Sequence, residues 1–457
     1  MTKRVYMETL GCAKNRVDSE IMLAALRAEG YGFSDDPAAA EVIVVNTCAF
    51  LTAATEEGIE RLLALSDFKT EGVCEKLVCA GCMSERYRET LLEEIPELDG
   101  LLGSSNFQDI PRLLDDLYNG HEGPLVRLLD KPHYAHFEKL ERIQTTPAPY
   151  VYVKVAEGCS NMCSFCNIPS LRGYFSSRRV EDVVAEVRGH VARGVREINL
   201  ISQDTSSYGI DLADGANLET LLRAVDAVEG EFWVRIFYAY PNTFTPGALD
   251  ALAGATHIVP YLDMPFQHIS DSVLRDMNRR ITEKESRAKL EEMRAVIPNL
   301  SLRTTFITGV PSETEADFER LLAFVREGWF DHVGVFSYSH EDNIKSARFG
   351  DPIPNKEKRR RRKALLEAQQ LVTGFNNGRR IGSVLPVLVE GPSAETPLLL
   401  QGRTAFQGPE VDGVTYINEG QATAGEFHWV EITEAHAYDL IGRIVPGPKM
   451  NSNLVTS

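Results

Sequence analysis

The sequence has no long hydrophobic run. No stretch of the 457 residues approaches the roughly 18 consecutive apolar residues that a membrane-spanning helix requires. The polar start, Met1-Thr2-Lys3-Arg4, is also too short to be a secretory signal peptide. We therefore expect a cytoplasmic protein that makes no membrane contact.

Basic residues are scarce at both ends of the chain. Residues 1–145 carry 15 Lys and Arg against 26 Asp and Glu, a net charge of −11, and residues 384–457 carry 3 against 9, a net charge of −6. Only −1 of the total charge of −18 remains for the middle of the chain. Both ends should repel the phosphates of RNA and attract basic partners. The charge pattern therefore disfavours tRNA as a partner.

A disulfide framework is not expected, because the eight cysteines stand in a long chain without an export signal. Three of them, Cys159, Cys163 and Cys166, lie in one short loop directly after a strand-like run at 150–156. Spacings of four and three residues bring three sulfur atoms around one point without long connecting loops. The loop is therefore a candidate metal site.

Three thiols in this arrangement suit an iron-sulfur cluster. A cubane cluster takes four thiolates, so three closely spaced cysteines leave one iron open, as a catalytic zinc site keeps an open position. Zinc and structural burial of the cysteines are the alternatives. Structural zinc, however, requires a fourth ligand, and the loop has no His nearby. The spacing thus predicts a 4Fe-4S cluster with one iron free to bind a ligand.

A CxxxCxxC motif after a strand, with an aromatic residue before its third cysteine, resembles the radical S-adenosylmethionine (SAM) superfamily. In this chain the aromatic residue is Phe165. The resemblance implies that the open iron chelates the amino and carboxylate groups of SAM, and that an electron from the cluster cleaves SAM to a 5'-deoxyadenosyl radical. It also implies that Phe165 lies beside the adenine.

The first segment repeats a different pattern, a cysteine just past the end of a predicted strand. Strands at 4–10, 42–45 and 77–80 alternate with helices and are followed by Cys12, Cys48 and Cys82. Such alternation predicts an open parallel sheet, which binds ligands at the carboxyl edge of its strands. We therefore expect the three thiols to meet, although each alone is explained equally well as an ordinary buried cysteine. Cys74 and Cys79 are expected in the core.

Composition shifts to Pro, His and Thr at 131–149, which predicts a linker. Six apolar runs separated by helical stretches then predict a parallel sheet curved into a partial (βα)6 TIM-like barrel, with its site at the strand carboxyl ends. The runs are 150–155, 197–201, 233–239, 261–265, 302–307 and 333–338. Polar residues follow four of them, at 202–205, 240–242, 267–268 and 308–311. Individually these are helix caps or turns; as a ring facing the cysteine loop they would form a mouth for SAM and substrate.

Two later segments differ from this pattern. Residues 356–363 contain seven basic residues and lead into a predicted helix. A solvated helix face is the favoured interpretation, and a contact with ribosomal RNA or with an acidic flank of the chain is the alternative. Short alternating runs broken by Gly and Pro at 381–445 predict a small antiparallel β-barrel. Such barrels often bind RNA through a basic face, but this segment is acidic.

Two cysteine groups followed by a small barrel resemble the methylthiotransferases along essentially the entire chain. The motifs that carry the resemblance are Gly11-Cys12, Asn46-Thr47-Cys48, Gly81-Cys82, Ser202-Gln203-Asp204-Thr205 and Met264-Pro265-Phe266-Gln267-His268. The resemblance implies an α/β chain with an open-sheet domain at 1–135, a radical SAM core at 145–378 and a TRAM-like barrel for substrate recognition at 381–447. It implies two 4Fe-4S clusters, the first on Cys12, Cys48 and Cys82 and the second on Cys159, Cys163 and Cys166.

The same resemblance implies further site residues. Contacts with SAM fall to Phe165, Gln203, Arg303 and Pro311, contacts with substrate fall to Glu410 and Asp412, and no side chain is assigned as a catalytic acid or base. In the family scheme, one SAM methylates a sulfur held at the first cluster, and a second SAM yields the radical through which an inert C–H bond becomes C–S–CH3. A flavodoxin-like protein is the expected electron donor.

Within the family, the opening stretch at 11–20 is similar to the branch that modifies a ribosomal protein, as are Gly402-Arg403-Thr404 and Pro409-Glu410-Val411-Asp412-Gly413. That resemblance implies methylthiolation of the β-carbon of an aspartate in the twelfth small-subunit ribosomal protein, either free or on the ribosome. Acidic outer segments suit such a basic partner. A tRNA adenosine methylthiotransferase and an iron-sulfur carrier are the alternatives.

Two positions depart from the family pattern. Ser312, in Gly309-Val310-Pro311-Ser312-Glu313, stands where the family usually has a second Gly. Residues 339–343 replace a usual Glu-Glu-Gly-Thr-like loop. The first position belongs to the expected contact with the SAM carboxylate, and the second to the barrel rim.

Overall fold

The computed structural model describes residues 3–129 and 141–447. The chain divides into two compact units, the first comprising Met1–Thr145, Ala156–Arg178 and Glu341–Ile344, and the second Thr146–Val155, Arg179–His340 and Lys345–Ser457. The predicted boundary at residue 135 and part of the predicted linker, 131–140, lie outside the described residues, so the three-domain division remains a prediction. Every helix within 3–129 and 141–447 is too short or too polar to cross a bilayer.

The amino-terminal part of the first unit is a parallel sheet with helices between its strands. Its elements in chain order are β1 Arg4–Thr9, α1 Ala13–Ala28, β2 Gly32–Phe33, β3 Val42–Thr47, α2 Thr52–Ser66, α3 Phe68–Glu71, β4 Lys76–Gly81, α4 Cys82–Tyr87, α5 Thr90–Glu94, β5 Gly100–Gly103, α6 Ile110–Tyr118 and β6 Leu125–Arg127, with short 3-10 helices at Pro37–Ala39 and Phe107–Asp109. The strand order is β2-β1-β3-β4-β5-β6. Because the order of winding reverses between β1 and β3, the carboxyl ends of these two strands form the switch point at which open sheets bind ligands.

The central strands of this sheet are hydrophobic because both of their faces are covered. All six residues of β3 are buried, and Ile43 and Val45 pack in one core with Leu62 of α2 and Leu77 of β4. Cys74 and Cys79 belong to the same core, with exposed fractions of 6% and 0%. The predicted burial of these two cysteines is therefore confirmed.

The middle of the chain supplies a second parallel sheet. Its elements in chain order are β7 Tyr150–Lys154, β8 Ala156–Glu157, α7 Ile168–Arg172, β9 Ser176–Ser177, α8 Val180–Ala192, β10 Glu197–Ile201, α9 Leu218–Asp226, β11 Trp233–Ile236, α10 Pro246–Ala253, β12 Ile258–Asp263, α11 Asp271–Asp276, α12 Glu283–Val296, β13 Ser301–Thr308, α13 Glu315–Arg326 and β14 His332–Ser337, with 3-10 helices at Thr205–Ser207 and Lys345–Phe349. The short strands β8 and β9 pair with each other and belong, with α7, to the first unit.

The other six strands form one sheet of the second unit, in the order β14-β13-β12-β11-β10-β7. All of its neighbouring strands are parallel, and β7 and β14 are its two edges. A large apolar core runs along this sheet and includes Val153, Leu200, Ile236, Leu262 and Phe306. The predicted α/β class and the six-stranded partial barrel are therefore confirmed.

The last part of the second unit is a long helix followed by a closed barrel. Its elements are α14 Asn355–Gly378, β15 Val384–Pro392, β16 Leu400–Thr404, β17 Thr415–Glu419, β18 Phe427–Ala435 and β19 Leu440–Ile444. The barrel closes in the order β15-β16-β17-β19-β18. Since β18 lies between them in the chain, β17 and β19 run in the same direction and pair in parallel, whereas the other four pairs are antiparallel. The predicted antiparallel barrel is confirmed except for this pair.

The basic run at 356–363 lies on α14 and is partly buried. Lys358 and Arg361 have exposed fractions of 2% and 6%. Lys358 donates to Asp351 at 2.7 Å, and Arg361 donates to Glu313 at 3.0 Å and to Glu315 at 3.1 Å. A fully solvated helix face is therefore wrong for Lys358 and Arg361, whose acidic partners come from the same unit.

Candidate functional site

Cys12, Cys48 and Cys82 each follow the carboxyl end of a strand of the amino-terminal sheet. Cys12 is the N-cap residue of α1, Cys48 directly follows β3, and Cys82 is the first residue of α4. Because β1, β3 and β4 are neighbours in the sheet, their carboxyl ends lie along one edge. Cys82 is buried there, Cys48 is half-buried and Cys12 is exposed. We call these three residues the first cysteine group.

Two glycines allow the strand ends of this group to approach each other. Gly11 has φ +94° and Gly81 has φ +91°, a left-handed conformation that residues with a side chain rarely adopt. A Cβ atom on Gly11 would lie 2.5 Å from the Cβ of Cys48, and one on Gly81 would lie 2.4 Å from the Oδ1 of Asn46. A side chain at either position would therefore clash with the neighbouring strand end.

The side chain of Asn15 ties two of the strand ends together. Its Nδ2 donates to the carbonyl oxygens of Leu10 at 2.9 Å and Thr47 at 3.0 Å. Its Oδ1 accepts from the Sγ of Cys12 at 3.8 Å. In return, Asn46 donates to the carbonyl oxygen of Asn15 at 2.8 Å. One buried amide thus fixes the ends of β1 and β3, and with them the first two thiols.

Burial disfavours the thiolate form in the first cysteine group. It raises the pKa of Cys82 to about 12, and it also raises the pKa of Cys48. The charge of a neighbouring thiolate adds to both shifts, whereas the Arg172 guanidinium acts in the opposite direction. These thiols therefore affect one another at short range, and a bound cation is needed to displace their protons.

The donor set of the first cysteine group, three thiols, is of the kind that iron-sulfur clusters take. No three His, Cys, Asp or Glu side chains of residues 3–129 and 141–447 are arranged to hold one metal ion. A single zinc would bring its sulfur ligands to within about 4 Å of one another, whereas a cluster of four irons holds them farther apart. Three thiols at one edge of the sheet are therefore suited to hold such a cluster.

Cys159, Cys163 and Cys166, the second cysteine group, stand on the loop between β8 and α7. Pairing of β8 with β9 closes the base of this loop. The Cys159 N–H donates to the carbonyl oxygen of Gly173 at 3.1 Å. Gly158 has φ +73°, and a Cβ atom on it would lie 2.3 Å from the carbonyl oxygen of Tyr174. The glycine before the motif is therefore required for the loop to close.

Within the loop, the backbone turns tightly around the sulfur atoms. Met162 has a left-handed φ of 56°, and the Cys166 N–H donates to the carbonyl oxygen of Cys163 at 3.2 Å. The Ile168 N–H donates to the Sγ of Cys166 at 3.5 Å. A hydrogen bond to sulfur favours the charged, ligating form of the thiol. Phe165 is half-buried directly before this cysteine.

The predicted SAM contacts of the second unit lie at two different ends of its sheet. Gln203 and Pro311 follow the carboxyl ends of β10 and β13, and both are half-buried. Arg303 is instead near the amino end of β13, where its Nη1 donates to Asp263 at 3.1 Å. Because parallel barrels carry their sites at the carboxyl ends of the strands, Gln203 and Pro311 are the better placed of the three.

The turn that contains Pro311 is fixed by a buried carboxylate. Glu313 accepts from the hydroxyl of Thr308 at 3.0 Å and from the Gly309 N–H. It also pairs with His268 at 3.3 Å and with Arg361 at 3.0 Å. Burial opposes ionisation of Glu313, but its hydrogen bonds with His268 and Gly309 and the charge of Arg361 lower its pKa nonetheless. The turn is thus held by an ionised side chain.

Both departures from the family pattern are accommodated. The non-glycine residues with left-handed backbone in the described chain do not include Ser312, so a serine fits there without strain. In the second departure, the buried Glu341 accepts from the N–H of Thr52 at 2.7 Å, from its hydroxyl at 2.9 Å and from Arg86 at 2.6 Å. Glu341 therefore caps α2, whose own N-cap residue Leu51 supplies no side-chain cap.

The two predicted substrate contacts have partners inside the second unit. Glu410 accepts from the hydroxyls of Tyr150 at 3.1 Å and Tyr152 at 2.9 Å. Asp412 accepts from the hydroxyl of Tyr261 at 2.7 Å. Glu410 is exposed as a residue, whereas the side chain of Asp412 is only 1% exposed. Of the two, Glu410 is the one at the surface, and both of its carboxylate oxygens accept from tyrosine hydroxyls.

Sequence reasoning missed Arg172, which has an exposed fraction of 2%. Its guanidinium donates to Asp18 at 2.7 Å, to Glu157 at 3.4 Å and to Asn15. The missed signal was the presence of charged residues inside cysteine motifs: Asp18 in the opening stretch and Arg172 just after the CxxxCxxC loop. Such residues seldom become fully buried unless they are paired.

Comparison with known families divides the sequence into three matched segments. Residues 4–103 match the family described as Uncharacterized protein family UPF0004. Residues 153–325 match the Radical SAM superfamily, and residues 381–445 match the TRAM domain.

Several curated proteins are similar along almost the whole chain. A protein of Anaeromyxobacter sp. (strain K), named ribosomal protein uS12 methylthiotransferase RimO, is 46% identical over 97% of this chain and 94% of its own length. Proteins with the same name from Geobacter sulfurreducens and Syntrophotalea carbinolica are 44% and 46% identical, each over 97% of this chain, and are covered over 99% and 97% of their own lengths.

Among solved structures, the radical S-adenosylmethionine methyltransferase TsrM from Kitasatospora setae, with cobalamin and a 4Fe-4S cluster bound, is similar with a TM-score of 0.55. It is 14% identical, and the match covers 76% of this chain and 77% of TsrM. The cobalamin-dependent S-adenosylmethionine radical enzyme OxsB has a TM-score of 0.52 at 10% identity, over 80% of this chain and 56% of OxsB. At these identities the similarity shows the fold alone. From the full-length similarity to its curated relatives, the chain belongs to the RimO family of radical SAM methylthiotransferases.

Proposed function

We propose that this protein methylthiolates ribosomal protein uS12, converting a C–H bond on the β-carbon of an aspartate to C–S–CH3. The observation that carries the proposal is the pair of cysteine groups within one compact unit, in a chain whose relatives are named uS12 methylthiotransferases over nearly their full lengths. The chain is a radical SAM enzyme, and its cofactors are SAM and 4Fe-4S clusters.

The cysteine groups divide the cofactors between them. We assign the first cluster to Cys12, Cys48 and Cys82, and the second to Cys159, Cys163 and Cys166. When bound, SAM and the clusters would supply the methyl group and the radical that the conversion requires, and the first cluster would hold the sulfur that is transferred. The protein would hold them through these thiols, which stand on backbone segments that pack closely against their neighbours at Gly11, Gly81 and Gly158.

We propose that SAM contacts three residues directly and depends on a fourth, Arg303, indirectly. Phe165 directly precedes a thiol of the second group, and Gln203 and Pro311 follow strand carboxyl ends. Glu313 fixes the turn that contains Pro311. The turn would therefore offer the SAM carboxylate a rigid binding surface. Arg303 lies at the other end of β13 and is paired with Asp263, so its contribution to SAM binding would be indirect.

Charge supports a basic substrate. The two ends of the chain carry net charges of −11 and −6 by residue count, and like charges would repel a tRNA backbone. Glu410, at the surface of the barrel segment, is the proposed contact with uS12. Asp412 is proposed to position this loop, because its side chain is buried and accepts from Tyr261. We also propose a cytoplasmic location and a flavodoxin-like electron donor. The enzyme would act on uS12 either as the free protein or on the ribosome.

Mass spectrometry of uS12 tests the function directly. Cells that lack this gene should yield uS12 without the methylthio group, and the parent gene should restore it. Variants in which either cysteine group is changed to alanine should not restore it, whereas Cys74→Ala, which removes a buried cysteine outside both groups, should. An unmodified uS12 in cells with the parent gene would refute the proposal.

Two further measurements separate the alternatives. Label from methyl-labelled methionine should appear in uS12; its appearance in tRNA instead would favour a tRNA adenosine methylthiotransferase. Reduced protein mixed with SAM should release 5'-deoxyadenosine, which an iron-sulfur carrier would not do. Glu410→Gln should lower methylthiolation of uS12 while leaving 5'-deoxyadenosine release in the absence of substrate unchanged.

A further inference from the structure

We propose that Arg172 is a positioning residue that raises the reduction potential of the cluster held by Cys12, Cys48 and Cys82. The inference rests on the proposed function for the existence of that cluster. Arg172 belongs to α7, which follows the second cysteine group in the chain, yet its guanidinium donates to the Asn15 Oδ1 that also accepts from Cys12 of the first. The residue is therefore connected to one group along the chain and to the other through hydrogen bonds.

The guanidinium of Arg172 is fixed from three sides. It donates to Asp18 at 2.7 Å and to Glu157 at 3.4 Å, and the side chains of these three residues have exposed fractions of 1% to 3%. It also donates to the Oδ1 of Asn15, the same atom that accepts from Cys12. Arg172 is thus one hydrogen-bonded amide away from a thiol of the first cysteine group.

The position of this charge matters because Arg172 itself is buried. Its guanidinium is 2% exposed and reaches Cys12 through one amide, so its charge lies close to the first cysteine group. Arginine remains protonated in proteins, and an interior with a low effective dielectric screens it weakly. The potential of a cluster depends on nearby charge and hydrogen bonding. A fixed cation stabilises the reduced, more negative state and so raises the potential.

A purely structural role is the competing explanation. Arg172 joins the segment around Glu157 to α1 through Asp18, so its removal would leave buried carboxylates without a partner. Loss of iron alone would fit either explanation. The potential of the remaining cluster separates them, because a structural contact gives no reason for shifts of opposite sign when opposite charges are removed.

The test uses the full-length protein carrying Cys159→Ala, Cys163→Ala and Cys166→Ala, so that only the first group can load. After anaerobic reconstitution, the midpoint potential is measured by redox titration with electron paramagnetic resonance. Arg172→Gln should shift the potential to more negative values, and Asp18→Asn, which exposes the cation to the cluster, should shift it to more positive values. Arg172→Lys should remain near the parent value because it keeps the charge.

Lys69→Gln is the matched control. It removes a cation that is also paired with a carboxylate, Asp99 at 2.7 Å, but at the amino edge of the same sheet. It should leave the potential unchanged. If Arg172→Gln does not load iron, Asp18→Asn decides alone: a positive shift supports the proposal, and no shift overturns it. Shifts of the same sign in Arg172→Gln and Asp18→Asn also overturn it.

Failure of the proposed function would look different. If the test protein still binds iron after Cys12, Cys48 and Cys82 are changed to alanine, the ligand assignment itself is wrong. If iron is lost in that variant but the Arg172 and Asp18 variants keep the parent potential, only the role of Arg172 is wrong.

Discussion

The Nη2 of Arg86 donates to Oε2 of Glu341 at 2.6 Å, and the two side chains have exposed fractions of 7% and 3%. Arg86 also donates to the carbonyl oxygen of Ala49 at 2.9 Å, next to Cys48. Glu341 in turn caps α2, the helix that follows this loop. The loop that carries one thiol of the first cysteine group is therefore held by a carboxylate from a distant part of the chain.

Replacing Glu341 should destabilise this loop. Glu341→Ala leaves the Arg86 cation buried and unpaired, for which a loss of roughly 3–5 kcal/mol is expected, and Glu341→Gln should cost less because it can still accept from Thr52. Hydrogen exchange of the α2 amides, followed by mass spectrometry, measures the effect. Asp342→Asn, at an exposed position of the same loop, is the control. Unchanged exchange in Glu341→Ala would contradict the role of the cap.

Substitution of Gly11, Gly81 or Gly158 should in each case prevent binding of one cluster and leave the other in place. Gly11→Ala places a Cβ atom against Cys48, and Gly81→Ala places one against the end of β3 just before it, so either protein should keep only the second cluster, about four irons per chain instead of about eight. It should still release 5'-deoxyadenosine. Gly158→Ala should show the reverse, losing that activity while retaining the first cluster. Iron analysis and product assays check both outcomes.

Gly30→Ala separates backbone strain from steric contact. Gly30 has φ +84°, but a Cβ atom on it would meet nothing within 4 Å. We expect this variant to bind iron like the parent. Equal iron loss in Gly30→Ala and Gly11→Ala would show that general destabilisation, and not the steric contact with Cys48, causes the loss.

Cys74 should make the metal-free protein less stable at alkaline pH. Burial raises its pKa to about 11, whereas an unfolded cysteine titrates near a pKa of about 8.5. The folded state therefore keeps a proton that the unfolded state releases between these values, and the free energy of unfolding falls as pH rises through this window. Cys74→Ala removes this contribution. Urea unfolding of both proteins across the window should show a steeper decline for the parent, and equal slopes would contradict the prediction.

Glu197 should be essential to the stability of the second unit. Its carboxylate is fully buried and pairs with Arg235 at 2.8 Å and with Arg403, a residue of the barrel segment. Glu197→Gln leaves one negative charge fewer for two buried cations, so a loss of roughly 3–5 kcal/mol is expected. The fluorescence of the three tryptophans, Trp233, Trp329 and Trp429, reports unfolding of this unit alone because all three belong to it.

The same residue predicts an acid dependence. Burial opposes ionisation of Glu197, but Arg403 and Arg235 lower its pKa overall. Its contribution should therefore be present above the unfolded pKa of about 4.3 and disappear as pH falls through the lower folded value. Glu197→Gln should flatten this loss. Glu231→Gln, which breaks a half-exposed pair with Arg196, should change stability by less than about 1 kcal/mol and leave the acid dependence unchanged.

Features that depend on residues close together in the chain could be predicted from the sequence. Cys12, Cys48 and Cys82 could be placed at one sheet edge because each directly follows an apolar run, and strand alternation fixes where those runs end. The sequence could not predict the contacts of Arg172 with Asn15 or of Glu341 with Thr52, which join residues 157 and 289 positions apart. No local pattern specifies such pairs.

Two strand boundaries show a second limit. The predicted strand 233–239 ends at Ile236 because Tyr238 adopts a left-handed φ of 62°. A tyrosine does not favour this conformation, so the sequence did not indicate the end. The strand predicted at 261–265 begins instead at Ile258 and contains Pro260. Proline usually interrupts a strand, but Pro260 lies opposite a register irregularity between Val234 and Ile236. Its missing N–H is tolerated at such a place.

The first unit is assembled from three separate stretches, of which the last is Glu341–Ile344. During synthesis, the thiols of the first cysteine group leave the ribosome long before Arg172 and Glu341 exist to support them. A truncated amino-terminal fragment would therefore present these thiols on an incomplete scaffold. Loading of iron should accordingly follow translation of nearly three quarters of the polypeptide, and excising the unit as one contiguous gene fragment should fail.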